Sequence, residues 1–403
     1  MKLKEKDNVP LIRFDYFKEE WDKKLFKDFT KLSQGLQIAI SSRFLEDGED
    51  RYFYITNEFL NPNSTKKYYI ESPSENVICT VDDILMTRTG NTGKVITNIS
   101  GAFHNNFFKV DYDKFETSKM FLYYLLTSND IHKEIIIRAG NSTIPDLNHS
   151  DFYSIKTSVP SLDEQSAIGS LFSTLDDLLD SYKDNLVNYQ SFKVTMLSKM
   201  FPKAGQTVPE IRLEGFVGDW EVVNLGTLIE SYDEIISGAS GFPIATSSRK
   251  GLYLQNDYFE GGRTGIDLTL DFHRVPMGYV TYRHMSDDSI FKFNKNNFET
   301  DVLVSKEYPV FISNDRSDID FLLYHLNNSG LFLRFSTMQK LGGTRVRLYY
   351  KNLITYRLSV PKVKEQQAIG AYFSNLDNLI SAHKEKISQL ETLKKKLLQD
   401  MFI

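Results

Sequence analysis

Apolar residues recur at alternating spacings of three and four along two long stretches of the chain. In the first, Phe172, Leu175, Leu179, Tyr182, Leu186, Tyr189, Met196 and Met200 form one stripe. It breaks only at Lys193, where neighbouring Phe192 is expected to take the seam. In the second, Phe373, Leu376, Ile380, His383, Ile387, Leu390, Leu397 and Met401 repeat the pattern, with Lys394 as the break. A sustained stripe of this period is a coiled-coil seam. Pro160 and Pro361 bar helix upstream of themselves and Pro202 stops the first helix, so each helix is predicted to run about 38 residues, or ~57 Å. The stretches before the helices alternate with a shorter period. VICTVDDILMTRTG and MGYVTYRHM read as strands entering turns, while Phe121–Ser128 and Phe321–Asn328 read as short amphipathic helices. TRTG, NTGK, FEGGR and LGGTR are turn sequences. The fold class is therefore α+β: mixed domains separated by long helices.

The two stripes belong to an internal repeat. Ser158–Phe201 and Ser359–Phe402 are identical at 18 of 44 positions when shifted by 201 residues. The shared positions include Ser-Val-Pro, Glu-Gln, Ala-Ile-Gly, Phe-Ser, Leu-Asp and the final Met-Phe. Upstream, Arg13, Phe17 and Trp21 match Arg212, Phe216 and Trp220, and Phe121-Leu122 matches Phe321-Leu322. Two copies of one unit of about 200 residues, alike in frame and different in filling, follow from this spacing. The predicted boundaries are 1–157 and 202–358 for the mixed domains, and 158–201 and 359–403 for the helical regions. One apolar seam cannot stay exposed over its whole length, so each helix needs a partner. The first helix leads directly into the second mixed domain, which feeds the second helix. The pair is expected to be antiparallel, with a pseudo-two-fold relation, a domain at each end, and the chain end near Ile403 returning to the first domain.

Composition narrows the function. With 48 Lys and Arg against 53 Asp and Glu the net charge is -5, so any nucleic-acid binding must come from local basic surfaces or from partners. The single Cys79 cannot form an internal disulfide, which fits a reducing cytoplasm. The first residues contain no apolar signal segment, and no stretch approaches the 18 or so apolar residues of a membrane span. GNTGK (Gly90–Lys94) lacks the spacing and the final Ser or Thr of a phosphate loop. The histidines show no metal-ligand spacing, and no GxGxxG or GxSxG occurs. Asn61-Pro62-Asn63 lacks the second proline and the aromatic of an amino-methyltransfer motif. Glu164 and Glu365 sit where a helix dipole favours anions. These absences point away from catalysis by this chain.

The duplicated S-V-P-x-x-x-E-Q-x-A-I-G-x-x-F-S-x-L-D helix starts, together with Arg13, Phe17, Trp21 and Arg212, Phe216, Trp220, resemble the specificity (S) subunit of type I restriction–modification enzymes. The resemblance covers essentially the whole chain. It implies two target recognition domains, each reading one half of a split DNA target, and conserved helices that set the spacing and dock two modification (methyltransferase) subunits. It implies no catalysis and no cofactor in this chain. S-adenosylmethionine, ATP and Mg2+ would serve the modification and restriction (translocase/nuclease) subunits. The other readings are a duplicated coiled-coil protein-interaction scaffold without DNA readout, and a stand-alone nuclease or methyltransferase.

Base edges are read by Arg, Lys, Asn, Gln, Ser and Thr on tips that can approach a groove. In the first domain the candidates are Arg88, Thr89, Asn91, Thr92 and Lys94, after the strand ending at Thr87, then Asn105 with Asn106, Arg138, Asn141 and Ser142. In the second they are Tyr282, Arg283, His284 and Ser286, with Gly342, Gly343, Thr344, Arg345 and Arg347. Arg88 and Arg283 are expected to hold matching places in the two copies. Lys384, Lys386, Lys394, Lys395 and Lys396 are expected on outer helix faces, and the aromatics of FLYYLL and FLLYHL in the core.

Overall fold

The computed structural model describes residues 8–140, 145–258, 267–340 and 345–403. The chain divides into two compact units: Met1–Lys183 with Glu385–Ile403, and Asp184–Lys384. The two predicted long helices are Leu162–Lys199 and Val363–Asp400, 38 residues each. Pro160 and Pro361 lie just upstream, where a missing N–H and a fixed φ exclude helix.

In the first unit the strands Thr30–Gln34, Phe107–Tyr112, Ile84–Thr87 and Val95–Thr97 lie side by side in that order, all antiparallel. In the second unit Ile229–Tyr232, Val310–Ser313, Val280–Tyr282 and Phe293–Lys295 repeat that order and those directions. Each unit also pairs an early strand with the one before its long helix, Asp22–Leu25 with Lys156–Val159 and Glu221–Asn224 with Arg357–Val360. Two short helices follow the main sheet in each case, Lys119–Thr127 with Asn129–Ala139 and Ile319–Asn328 with Gly330–Met338. The remaining strands differ. The first unit adds a sheet ordered Tyr69–Glu71, Arg51–Ile55, Gly101–Phe103, Ile78–Cys79, with a parallel central pair. The second adds Ile235–Ser237, Asp271–Val275 and Val302–Ser305, and a hairpin of Ala245–Ser248 with Gly251–Leu254. The frame is common and the filling is not.

Within each unit the two long helices run antiparallel. In the first, Asp176 meets Lys394 and Lys183 meets Glu391. In the second, Tyr189 stacks edge-on to His383 and Lys193 meets Asp377. The chain end returns to the first unit as expected. Phe402 packs on Phe121 and Phe172 at 5.6 and 5.9 Å, and the Ile12 N–H donates to Asp400 O. Phe201 does the same against Phe321 and Phe373, and the Ile211 N–H donates to Lys199 O. Burying a side chain of this size contributes about 1.5–3 kcal/mol, which pins each helix end into a core. Among the described residues no helix is long and apolar enough to cross a membrane.

Candidate nucleic-acid interface

The repeated motif residues build a rigid seat for each mixed domain. Glu164 and Glu365 do more than sit in a helix dipole. Each is buried and takes a bidentate pair of hydrogen bonds, from Arg13 and Arg212 respectively, all at 2.7 Å. Trp21 Nε1 also donates to Glu164, at 3.2 Å, whereas Trp220 Nε1 has no partner among the described residues. Gln165 donates to Pro160 O and Glu116 O and accepts the Ser118 N–H; Gln366 repeats this with Pro361 O, Arg316 O and the Asp318 N–H. Gly169 and Gly370 sit so close to the neighbouring short helix that an added Cβ would lie 2.9 Å from Phe121 N or 2.7 Å from Asp318 Oδ1. Only a residue without Cβ allows that approach.

Lys193 and Lys394, the breaks in the apolar stripes, are seam residues after all. Lys193 pairs with Asp377 and lies over the Tyr324 ring; Lys394 pairs with Asp176 and lies over Tyr124. Both tyrosines donate to the same carboxylates, at 2.7 Å for Tyr124 and 2.8 Å for Tyr324. Burial, then the carboxylate, pushes both phenols up. Phe192, expected to replace Lys193, is exposed. Lys394 therefore leaves the outer face, while Lys384, Lys386, Lys395 and Lys396 are exposed as expected. The signal available in the sequence was that both breaks are lysines at one repeat position.

At the candidate tips the two units part. In the second, the strand Met285–Ser286 pairs antiparallel with Val346–Arg347. Exposure alternates along both chains. His284, Ser286, Val346 and Leu348 are buried, while Arg283, Asp287, Arg345 and Arg347 are exposed on the other face. Arg345 is held by Asp287 at 2.9 Å. The side chains of Arg283 and Arg347 show no hydrogen bond or ion pair among the described residues. Tyr282 is core, its hydroxyl donating to Leu348 O. His284 stacks on Tyr349 at 5.5 Å, with burial holding its imidazole down. Ser286 donates to Asp288. Gly342, Gly343 and Thr344 lie outside the described residues, as do Asn141 and Ser142.

In the first unit Gly90, Asn91 and Gly93 take positive φ, so GNTGK is a tight turn. Asn91 and Lys94 are exposed, with Lys94 Nζ donating to Leu60 O. Thr92 is buried and donates to Pro145 O, and Thr89 O accepts from Asn57. Asn105 donates to Gln37 and has a buried Oδ1 without a partner among the described residues. Asn106 O accepts the Arg88 N–H, and Arg138 pairs with Glu134. Arg88 is tied to Asp146 at 2.7 Å and to Leu147 O. Arg88 and Arg283 do not hold matching places. The sheet registers pair Leu85 with Lys109 and Thr281 with Val310. Leu147 N donates to Arg88 O just as Leu348 N donates to His284 O. Arg88 thus corresponds to His284, buried Thr87 to Arg283, and Asp146 to Arg347. The offset changes inside the variable filling, so simple repeat arithmetic slips there.

The family model described as "Type I restriction modification DNA specificity domain" matches residues 18–188 and 218–392. The type I restriction enzyme MjaVIII specificity subunit of Methanocaldococcus jannaschii is 22% identical over 404 residues, covering 94% of this chain and 91% of that one. The crystal structure of a type I restriction–modification system S subunit from M. genitalium superposes with a TM-score of 0.59 at 14% identity, covering 98% of this chain and 99% of that one. This chain belongs to the specificity-subunit family of type I restriction–modification systems.

Proposed function

We propose that the chain is the DNA-reading subunit of such a system, each mixed domain reading one half of a bipartite target. The long helices set the spacing of the half-sites and dock two modification subunits. Methyl transfer from S-adenosylmethionine, and ATP- and Mg2+-dependent restriction, reside in the partner subunits, and this chain contributes no catalysis. The observation that supports the reading best is the ribbon of the second unit. It presents Arg283 and Arg347 on its exposed face, unpaired among the described residues. A two-stranded ribbon fits the major groove, and arginine reads guanine bidentately there. The common frame with different fillings supports two unlike half-sites.

The test is selection from random DNA by the assembled complex. A motif of two unlike halves at fixed spacing is expected. Arg347→Ala should relax one half only, by about 1–3 kcal/mol at the affected base pair. An assembled complex that enriches no split motif would leave a protein-interaction scaffold as the function.

A further inference from the structure

Two cavities of the second unit share Lys250 and Lys292. One, of about 650 Å³, is lined by Lys193, Lys250, Lys292 and Lys295, with Asp320 and Asp377. The other, of about 600 Å³, is lined by Arg249, Lys250, Arg283 and Lys292, with Asp287 and Asp288. All four carboxylates are already engaged. Asp377 pairs with Lys193, Asp320 with Lys295, Asp288 with Arg249, and Asp287 with Arg345. Lys250, Lys292 and Arg283 form no ion pair among the described residues, and Lys292 feels Asp377 only at longer range. Lys292 is also partly buried. Burial, then the proximity of Lys193, pulls its ammonium below the ordinary lysine value. Asp377 offsets this only in part, so a partly buried cation beside a second lysine is held at a cost that an arriving anion removes.

The corresponding cleft of the first unit is lined differently. It is lined by Asp176, Asp177 and Asp180, with no lysine or arginine among the described residues. The register that aligns Met86 with Tyr282 also aligns Val95 with Phe293, and so Lys94 with Lys292. Lys94, however, is committed to Leu60 O.

We infer that the cleft of Lys250 and Lys292, beside Arg283, is a phosphate-binding site, occupied by backbone phosphates of the DNA beside the second unit's half-site. The inference rests on the DNA-reading function proposed above. It makes the second unit the electrostatic anchor of an otherwise acidic chain. Each neutralised phosphate contributes about 0.9 to the slope of log affinity against log salt. In the assembled complex, Lys250→Ala/Lys292→Ala should therefore lower that slope by about 2, weaken target binding at least tenfold at low salt, and leave the selected motif unchanged. Lys250→Arg/Lys292→Arg should keep the slope. Lys292 acetylation, followed by mass spectrometry, should slow with target duplex but not with millimolar inorganic phosphate. Unchanged affinity and slope in the alanine variant, with the split motif intact, would overturn the site but not the function. Protection by inorganic phosphate alone would replace the DNA backbone with a small anion. A wild-type complex with no split motif would overturn both.

Discussion

The seats of the two mixed domains repeat their ion pair, amide and lysine contacts and differ in the Trp21–Glu164 hydrogen bond, while their tips differ throughout. Arg13–Glu164 has its double in Arg212–Glu365, Gln165 in Gln366, and Tyr124–Asp176–Lys394 in Tyr324–Asp377–Lys193. At the tips, Asp146 stands where Arg347 stands in the other unit, and a carboxylate-lined cleft replaces a lysine-lined one. The difference has a physical origin. A buried ion pair or amide that loses one partner leaves an unpaired polar group, which is costly. Exposed side chains on a tip can change with little effect on folding, so the filling is free to carry a different specificity in each copy.

The comparison breaks most visibly at the seat. Glu164→Ala and Glu365→Ala should each destabilise their own unit by about 3–5 kcal/mol, because a shielded arginine loses its partner. The first should cost more, by about 1 kcal/mol, since Trp21 also loses its acceptor. Each unit holds one buried tryptophan, so fluorine-labelled tryptophan in urea titrations reports the units separately. Equal losses would remove Trp21 from the network.

A second difference is internal. His325 is buried on the helix position where the first unit has Leu125, and its Nε2 lies 2.8 Å from the Tyr356 hydroxyl. Burial holds its imidazole down at about 4. A folded value below the unfolded one of about 6.5 means that its contribution is complete above about pH 6.5 and is lost as pH falls toward about 4, by up to ~3 kcal/mol. The second unit should lose stability over that window, and His325→Leu should flatten the loss. An unchanged slope in the variant would place the titration elsewhere.

Lys193→Met extends the apolar stripe yet should destabilise the second unit by about 1–2 kcal/mol, because Asp377 loses its cation. A stabilised variant would show that the lysine is merely tolerated. Phe192→Ser should change stability by less than about 0.5 kcal/mol, since its ring is exposed. A larger loss would return Phe192 to the seam.

Much of the frame could be read in the chain. The stripe period, the flanking prolines and the offset of 201 give both long helices, their antiparallel run within each unit and the return of Phe402 to the first core. The seam lysines were misread because a hydrophobic pattern scores a lysine as a break. The carboxylate that accepts it lies far away in sequence, at Asp176 or Asp377. The tips were partly legible. Arg283 and Arg345 are exposed as expected, while Tyr282, His284, Ser286 and Thr92 are buried. Residue type marks a group as able to bind, but strand alternation decides which side it faces, and that depends on register.

Local periodicity and internal repetition, both written into consecutive residues, therefore settled the helices, the duplication and the family. Which polar groups find one another was decided only when the strands paired and the helices packed. Ion pairs such as Arg13–Glu164, and the cations Lys250, Lys292 and Arg283 that form no ion pair among the described residues, depend on distances in space between residues far apart along the chain, and no sequence pattern encodes those directly.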